Sequence, residues 1–194
     1  MTKARSRRQD RPEVILDAAE SLMRRSGERV LTIDAVAAEA GLSKGGVLHH
    51  YASIGTLITA LGAGKVARMR AGIAENLAVQ PPGPAALPLA VLAQARDLYA
   101  DECGFPDALL IAATGNAEAV AGFREFLAER LSQMGAIEGR PGAGAALVFS
   151  ILGLMLSRSL GFHRLDGPEL ARLFDALDAQ ARNLAAEPDA SRSA

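Results

Sequence analysis

The chain has 194 residues, 49% of them hydrophobic, and a formal net charge of −1. That length permits one or two domains with a sizeable core, and that hydrophobic content excludes a disordered chain. Aromatic residues make up only 4%, and Ala and Leu dominate over β-branched runs, which favours an all-α protein; the helices expected along the chain number about nine.

The N-terminus opens with Lys3, Arg5, Arg7 and Arg8 and no acid among the first eight residues. Through residue 60 there are about nine basic against seven acidic side chains, and beyond it about twelve against fifteen. The positive excess therefore sits at the N-terminal end, although the whole chain is nearly neutral. Residues 1–10 read as a basic disordered arm.

The first helix is expected over Pro12 to Arg25. Pro12 suits the first turn because its missing N–H has no helical partner there. Val14, Ile15, Ala18, Leu22 and Met23 make its apolar stripe, and Gly27 ends it. Next comes Thr32 to Tyr51, TIDAVAAEAGLSKGGVLHHY. Thr32 caps a short helix over Ile33 to Ala40, whose Ile33, Val36, Ala37 and Ala40 share one face. Gly41 provides the positive φ of a tight turn, and Leu42 plugs the angle between two helices. Ser43 caps a second helix from Lys44. Helix, glycine turn and helix in this order match the helix-turn-helix that lays its second helix in the major groove. An ordinary helical hairpin is the plainer alternative.

A long helix is expected over Ile54 to Leu77, and Pro81-Pro82-Gly83-Pro84 breaks the chain. Further helices are expected over Ala85 to Glu102, Pro106 to Thr114, Ala117 to Met134, Ala143 to Phe162 and Pro168 to Ala186. The residues divide into an arm over 1–10, a DNA-binding domain over 11–60, a body over 61–186 and a disordered tail over 187–194. Gly142 to Ser157 carries no charge, but it is shorter than the roughly 20 apolar residues of a membrane span. A single cysteine, Cys103, excludes an internal disulfide. With no signal peptide at the N-terminus, a cytoplasmic protein is expected.

Residues Arg11 to Leu61 resemble the DNA-binding domain of the TetR family of bacterial transcriptional regulators, of AcrR-like type. The resemblance runs through Ile15-Leu16-Asp17-Ala18-Ala19, Gly27, Leu31-Thr32, Val36-Ala37, Ala40-Gly41-Leu42-Ser43-Lys44-Gly45, His50-Tyr51 and Leu57. The rest of the chain resembles the family only in length and helical character. The resemblance implies base contacts from Lys44, Gly46 and His49, with Gly45 letting the DNA come close. It implies backbone contacts from Thr32, Ser43 and His50, and Tyr51, counted with these DNA-binding residues, is expected to pack in the small core with its hydroxyl free to reach outward. The family commonly has Tyr where this chain has Leu48, and Lys where it has Ile54. Both changes remove phosphate contacts and predict weaker, less salt-sensitive binding. Arg5, Arg7 and Arg8 of the arm are expected to compensate.

The resemblance also implies double-stranded DNA with a palindromic operator, a small-molecule effector and a homodimer as partners. Ligand candidates are Arg96, Tyr99, Phe105, Asn116, Phe123, Phe126, Phe149, Met155 and His163. Dimer candidates are the small-residue stripe Ser150, Gly153, Ser157 and Gly161 and the apolar stripe Leu170, Leu173, Phe174, Leu177 and Ala181. No catalytic constellation, cofactor motif or metal set stands at recognisable spacing. The side chains of the adjacent His49 and His50 point about 100° apart on a helix. The expected function is a ligand-responsive regulator, more a repressor than an activator. The alternative is a ligand-binding or interaction protein of the same fold with weakened DNA binding.

Overall fold

The computed structural model describes residues 11–26, 31–100, 116–163 and 165–186. The basic arm, Gly27, Cys103, Phe105, the helix expected over Pro106 to Thr114 and the tail from Glu187 lie outside them. Among the described residues there are eight helices and no strand. They are α1 (Arg11–Ser26), α2 (Ile33–Glu39), α3 (Lys44–His50), α4 (Ile54–Ala78), α5 (Ala86–Ala100), α6 (Ala117–Gly135), α7 (Ala143–Ser159) and α8 (Gly167–Arg182). No helix among the described residues is long and apolar enough to cross a membrane. The chain forms two compact units, and the boundary between them falls after Val66 within α4 and after Phe123 within α6.

The first unit is built on an apolar centre of Ile15, Ala19, Met23, Val36, Val47, Leu57 and Leu61, each at most 3% exposed. On α1 the buried arc is Ile15, Ala18, Ala19, Leu22 and Met23, while Val14 is 41% exposed. Val14 was expected inside, but it stands one residue off the i, i+3, i+4, i+7 set that Ile15 begins. Arg24 and Arg25 close the last turn of α1, where positive charge suits the helix dipole. Arg25 also pairs with Glu39 of α2 at 2.8 Å, and Ser21 donates to the same carboxylate at 3.0 Å. The Arg25 bond holds the Glu39 carboxyl below its ordinary value. Helix α4 begins with a reciprocal cap: Thr56 N–H donates to Ser53 Oγ, and Ser53 N–H to Thr56 Oγ1, both at 3.1 Å.

The second unit packs α5, α7 and α8 around Leu92, Tyr99, Met134, Leu147, Phe174, Leu177 and Ala181. Tyr99 is buried, and its hydroxyl donates to Leu165 O at 2.9 Å and accepts from Leu165 N–H at 3.0 Å. Arg158 of α7 donates to the carbonyls of Leu98 and Tyr99, which satisfies the C-terminal end of α5. Helix α7 stops at Ser159, short of the expected Phe162. Gly161 takes φ 68° and Phe162 N–H turns back to Ser157 O at 2.9 Å, which closes the helix. Helix α8 likewise ends at Arg182 rather than Ala186.

Before α7, the Glu138 carboxylate accepts from the backbone N–H groups of Gly142 at 2.9 Å and Gly144 at 2.6 Å. The Gly142 bond, then the Gly144 bond, hold its carboxyl below the ordinary value. A lowered folded value stabilises the fold above the unfolded value of about 4.3 and is lost as the pH falls through the folded one. Glu138→Gln should therefore melt below the wild type at pH 7, with the gap closing on acidification. A gap independent of pH would remove this carboxylate from the acid response.

Candidate nucleic-acid interface

The head presents one helix outward, and its local chemistry explains how. Thr32 caps α2 by accepting from Ala35 N–H at 3.1 Å. Gly41 takes φ 63°, and Leu42 N–H donates to Ala37 O at 2.9 Å, so the chain reverses within a few residues. Leu42 packs against the head core, in the corner expected for it. Ser43 then caps α3 by accepting from Gly46 N–H at 3.0 Å. Val47 is fully buried and anchors α3. The opposite face, Ser43, Lys44, Gly45, Leu48 and His49, is exposed, and Gly46 and His50 are half-buried.

A Cβ added at Gly45 would meet nothing within 4 Å, whereas one at Gly46 would lie 3.3 Å from Ser43 Oγ. The fold therefore places no steric demand on glycine at 45. The Lys44 ammonium is held by Asp34 at 2.9 Å, with both side chains well exposed. An exposed pair of this kind is weak and breaks readily for a phosphate. Asp34 escaped the sequence reading, because two charges ten residues apart on separate helices leave no pattern to find. Asp34→Asn should tighten binding to DNA severalfold and steepen the slope of log affinity against log salt by about one. An unchanged slope would mean that Asp34 does not restrain Lys44.

Tyr51 does not join the exposed face. It is half-buried against the head core, its hydroxyl lies 3.4 Å from Pro12 O as a donor, and burial pushes its pKa up. Ile54 also packs on that core, so the position where the family commonly carries Lys offers no cation. The His49 and His50 rings meet edge to face at 5.1 Å. No group of three or more His, Cys, Asp or Glu among the described residues could hold a metal.

The ligand candidates scatter. Asn116 and Phe123 belong to the head. Asn116 Nδ2 donates to Gly55 O at 2.8 Å and Thr59 Oγ1 at 3.2 Å, and its Oδ1 accepts from the N–H groups of Glu118 and Ala119. That carboxamide is engaged on both sides and has nothing left for a ligand. Phe123 lies beside Gly62 of α4. Arg96 and Tyr99 share a pocket of about 260 Å³ with Leu170 and Phe174, but the Tyr99 hydroxyl is already satisfied. Phe126 sits beneath the guanidiniums of Arg70 and Arg130. Met155 packs on the body core, while His163 is exposed and Phe149 is 52% exposed.

The dimer candidates divide as well. Ser150 and Gly153 lie on the outer face of α7 beside Phe149. Ser157 is half-buried, and Gly161 ends the helix. Leu170 and Leu173 are half-buried against the body core. Phe174, Leu177 and Ala181 are at most 4% exposed within this one chain. These last three were expected at a partner surface, and the correction has a simple cause: a heptad-like stripe serves equally to bury a helix on its own domain.

Comparison with known proteins agrees with this geometry. A family model described as bacterial regulatory proteins, tetR family, matches residues 15–61. A second, described as tetracyclin repressor-like, C-terminal domain, matches residues 85–182, half of the chain. A transcriptional regulator from Rhodococcus sp. Rha1 superposes with a TM-score of 0.71 at 22% identity, covering 89% of this chain and 95% of its own. A TetR-family regulator from Streptomyces coelicolor gives 0.70 at 19% identity, covering 91% and 97%. The multidrug binding protein EbrR, complexed with malachite green, gives 0.69 at 20% identity, covering 88% and 98%. No curated protein matches the sequence. The two models identify the family and not an AcrR-like subtype. The chain belongs to the TetR family, whose members are DNA-binding transcriptional regulators rather than enzymes.

Proposed function

We propose that this regulator binds a palindromic operator as a homodimer and leaves it when a small-molecule effector enters the body, acting as a repressor. The observation that carries the reading is α3, anchored by buried Val47 and presenting Lys44, Gly45 and His49 to solvent. Lys44, Gly46 and His49 read base edges in the major groove, and Gly45 lets the DNA approach the helix. Thr32, Ser43 and His50 lie on the backbone side. Arg5, Arg7 and Arg8 of the arm add phosphate contacts. A palindrome needs a two-fold protein, because each head reads one half-site.

The partner surface of this reading is the outer face of α7: Ala146, Phe149, Ser150 and Gly153 are all exposed. A large aromatic ring at 52% exposure beside small residues offers a helix a close apolar approach. Effector control is supported by the fold shared with EbrR, a multidrug binding protein whose structure was determined in complex with malachite green. An effector releases DNA only if it prefers the body conformation that misplaces the heads.

Phe149→Glu tests the dimer. Phe149 is exposed, so the monomer fold should survive. Sedimentation should show monomers, and operator affinity should fall by about a hundredfold or more as one head is lost from each complex. A stable dimer in that variant would exclude this face as the partner surface. A second reading, a regulator fold with weakened DNA binding, is favoured by Leu48 and Ile54, which supply no phosphate contact. It predicts a folded dimer that selects no DNA sequence.

A further inference from the structure

Helix α6 turns Phe126, Leu127, Leu131 and Met134 toward the apolar core of the body. Arg130 stands in that same face, four residues after Phe126 and four before Met134, and is 6% exposed. A charged side chain among core positions is costly unless every polar atom is met. Here some are and some are not. One terminal nitrogen of Arg130 donates to Glu129, and its guanidinium carbon lies 5.2 Å from the Phe126 ring centre. Its Nε is buried and meets no acceptor among the described residues. One turn on, Gln133 Nε2 lies 3.5 Å from Glu129 Oε1, which directs its own carbonyl oxygen elsewhere. The Gln133 Oε1 is also buried, with no donor among the described residues.

The charge balance points the same way. Arg70 of α4 pairs with Glu129 at 3.0 Å, so two guanidiniums share one carboxylate. Burial pushes the Glu129 carboxyl up, but the bond from Arg70 and the charge of Arg130 outweigh it and keep the group ionised. The cluster carries one excess positive charge, and the buried member is the one with the unmet N–H.

We propose that Arg130 and Gln133 are the polar anchor of the effector site, and that the effector is a small organic acid with a hydroxyl or N–H beside its carboxylate on an apolar frame. The proposal rests on the reading of the chain as an effector-controlled regulator. The carboxylate accepts from Arg130 Nε–H and neutralises the excess charge. The neighbouring hydroxyl or N–H donates to Gln133 Oε1. The frame lies against the apolar face that Phe126 and Met134 share with them on α6. Arg130 is the one charged residue in the i, i+4 series Phe126, Arg130, Met134.

Salicylate carries both groups, benzoate lacks the donor and phenol lacks the charge. Calorimetric titration of the full-length protein, without DNA, should show salicylate binding about tenfold or more above benzoate and no binding of phenol. Arg130→Met should weaken salicylate by about ten- to a hundredfold, the factor carried by a charge-assisted hydrogen bond. Gln133→Leu should weaken salicylate and leave benzoate unchanged. Without ligand, Arg130→Met should melt at or above the wild type, because Glu129 keeps Arg70 and Met fills the site. The proposal is overturned if salicylate does not bind, if both variants bind it as the wild type does, or if Arg130→Met melts lower and so reveals a structural arginine. Operator binding on the same samples separates the two readings. Intact operator binding with no salicylate response removes the anion site alone, and salicylate binding without operator binding removes the regulatory reading alone.

Discussion

Gly45→Leu should leave the protein folded and abolish specific DNA binding. Nothing lies within 4 Å of a Cβ at this position, and the residue is exposed in the first turn of α3. Leucine is the better helix former, by up to about 1 kcal/mol, so the melting temperature should hold or rise. On DNA the same side chain would stand between the helix and the groove. Affinity should fall to the non-specific level, about a thousandfold or more below that for the operator. Fluorescence anisotropy with operator DNA, paired with a thermal melt, separates the two effects. A variant that melts early would mean that glycine is needed by the fold. One that melts normally and still binds would mean that α3 does not meet the groove at this position.

Gly144→Val should have the opposite signature, a large loss of stability from a residue far from α3 in the sequence. A Cβ at Gly144 would lie 2.8 Å from both the backbone carbon and the Cβ of Met134, and 2.9 Å from Glu138 Oε2. Met134 is itself fully buried, so neither helix has room to yield. Overpacking of this kind costs about 1–3 kcal/mol, and the backbone contact puts this site at the upper end. For a chain of this size that is about 6–12 °C in melting temperature. The added carbon also crowds the carboxylate that accepts from the Gly142 and Gly144 N–H groups at the start of α7. A melt within 2 °C of the wild type, roughly what under 1 kcal/mol gives, would contradict the close approach of α6 and α7.

The head was legible because its signals are local. A cap at Thr32, a positive-φ glycine at 41, a second cap at Ser43 and an apolar plug at Leu42 all act within a few residues, and each has its expected geometry. Helix starts were legible for the same reason, to within one residue in every described case. The ends of α7 and α8 were not. Gly161 was assigned to a packing stripe when its φ of 68° makes it a terminator. Residues whose role depends on a distant partner were also opaque. Nothing near Asn116 in sequence points to Gly55, and nothing near Lys44 points to Asp34. The stripe from Leu170 to Ala181 shows the deeper ambiguity. Apolar periodicity tells that a face is covered, not by what, and here Phe174, Leu177 and Ala181 are covered by their own chain. Arg130 escaped the sequence reading, because only the burial of its unpartnered Nε sets it apart from an ordinary charged residue on a helix.

Sequence reading by α3 meets its sharpest test in a selection of bound sequences from a random duplex pool at two salt concentrations, with the wild type and Lys44→Ala side by side. One palindrome is expected from the wild type, enriched at both salts, with its loss or strong depletion in Lys44→Ala. No enrichment from a folded, dimeric wild type, or the same palindrome from both proteins, would mean that α3 does not read the sequence.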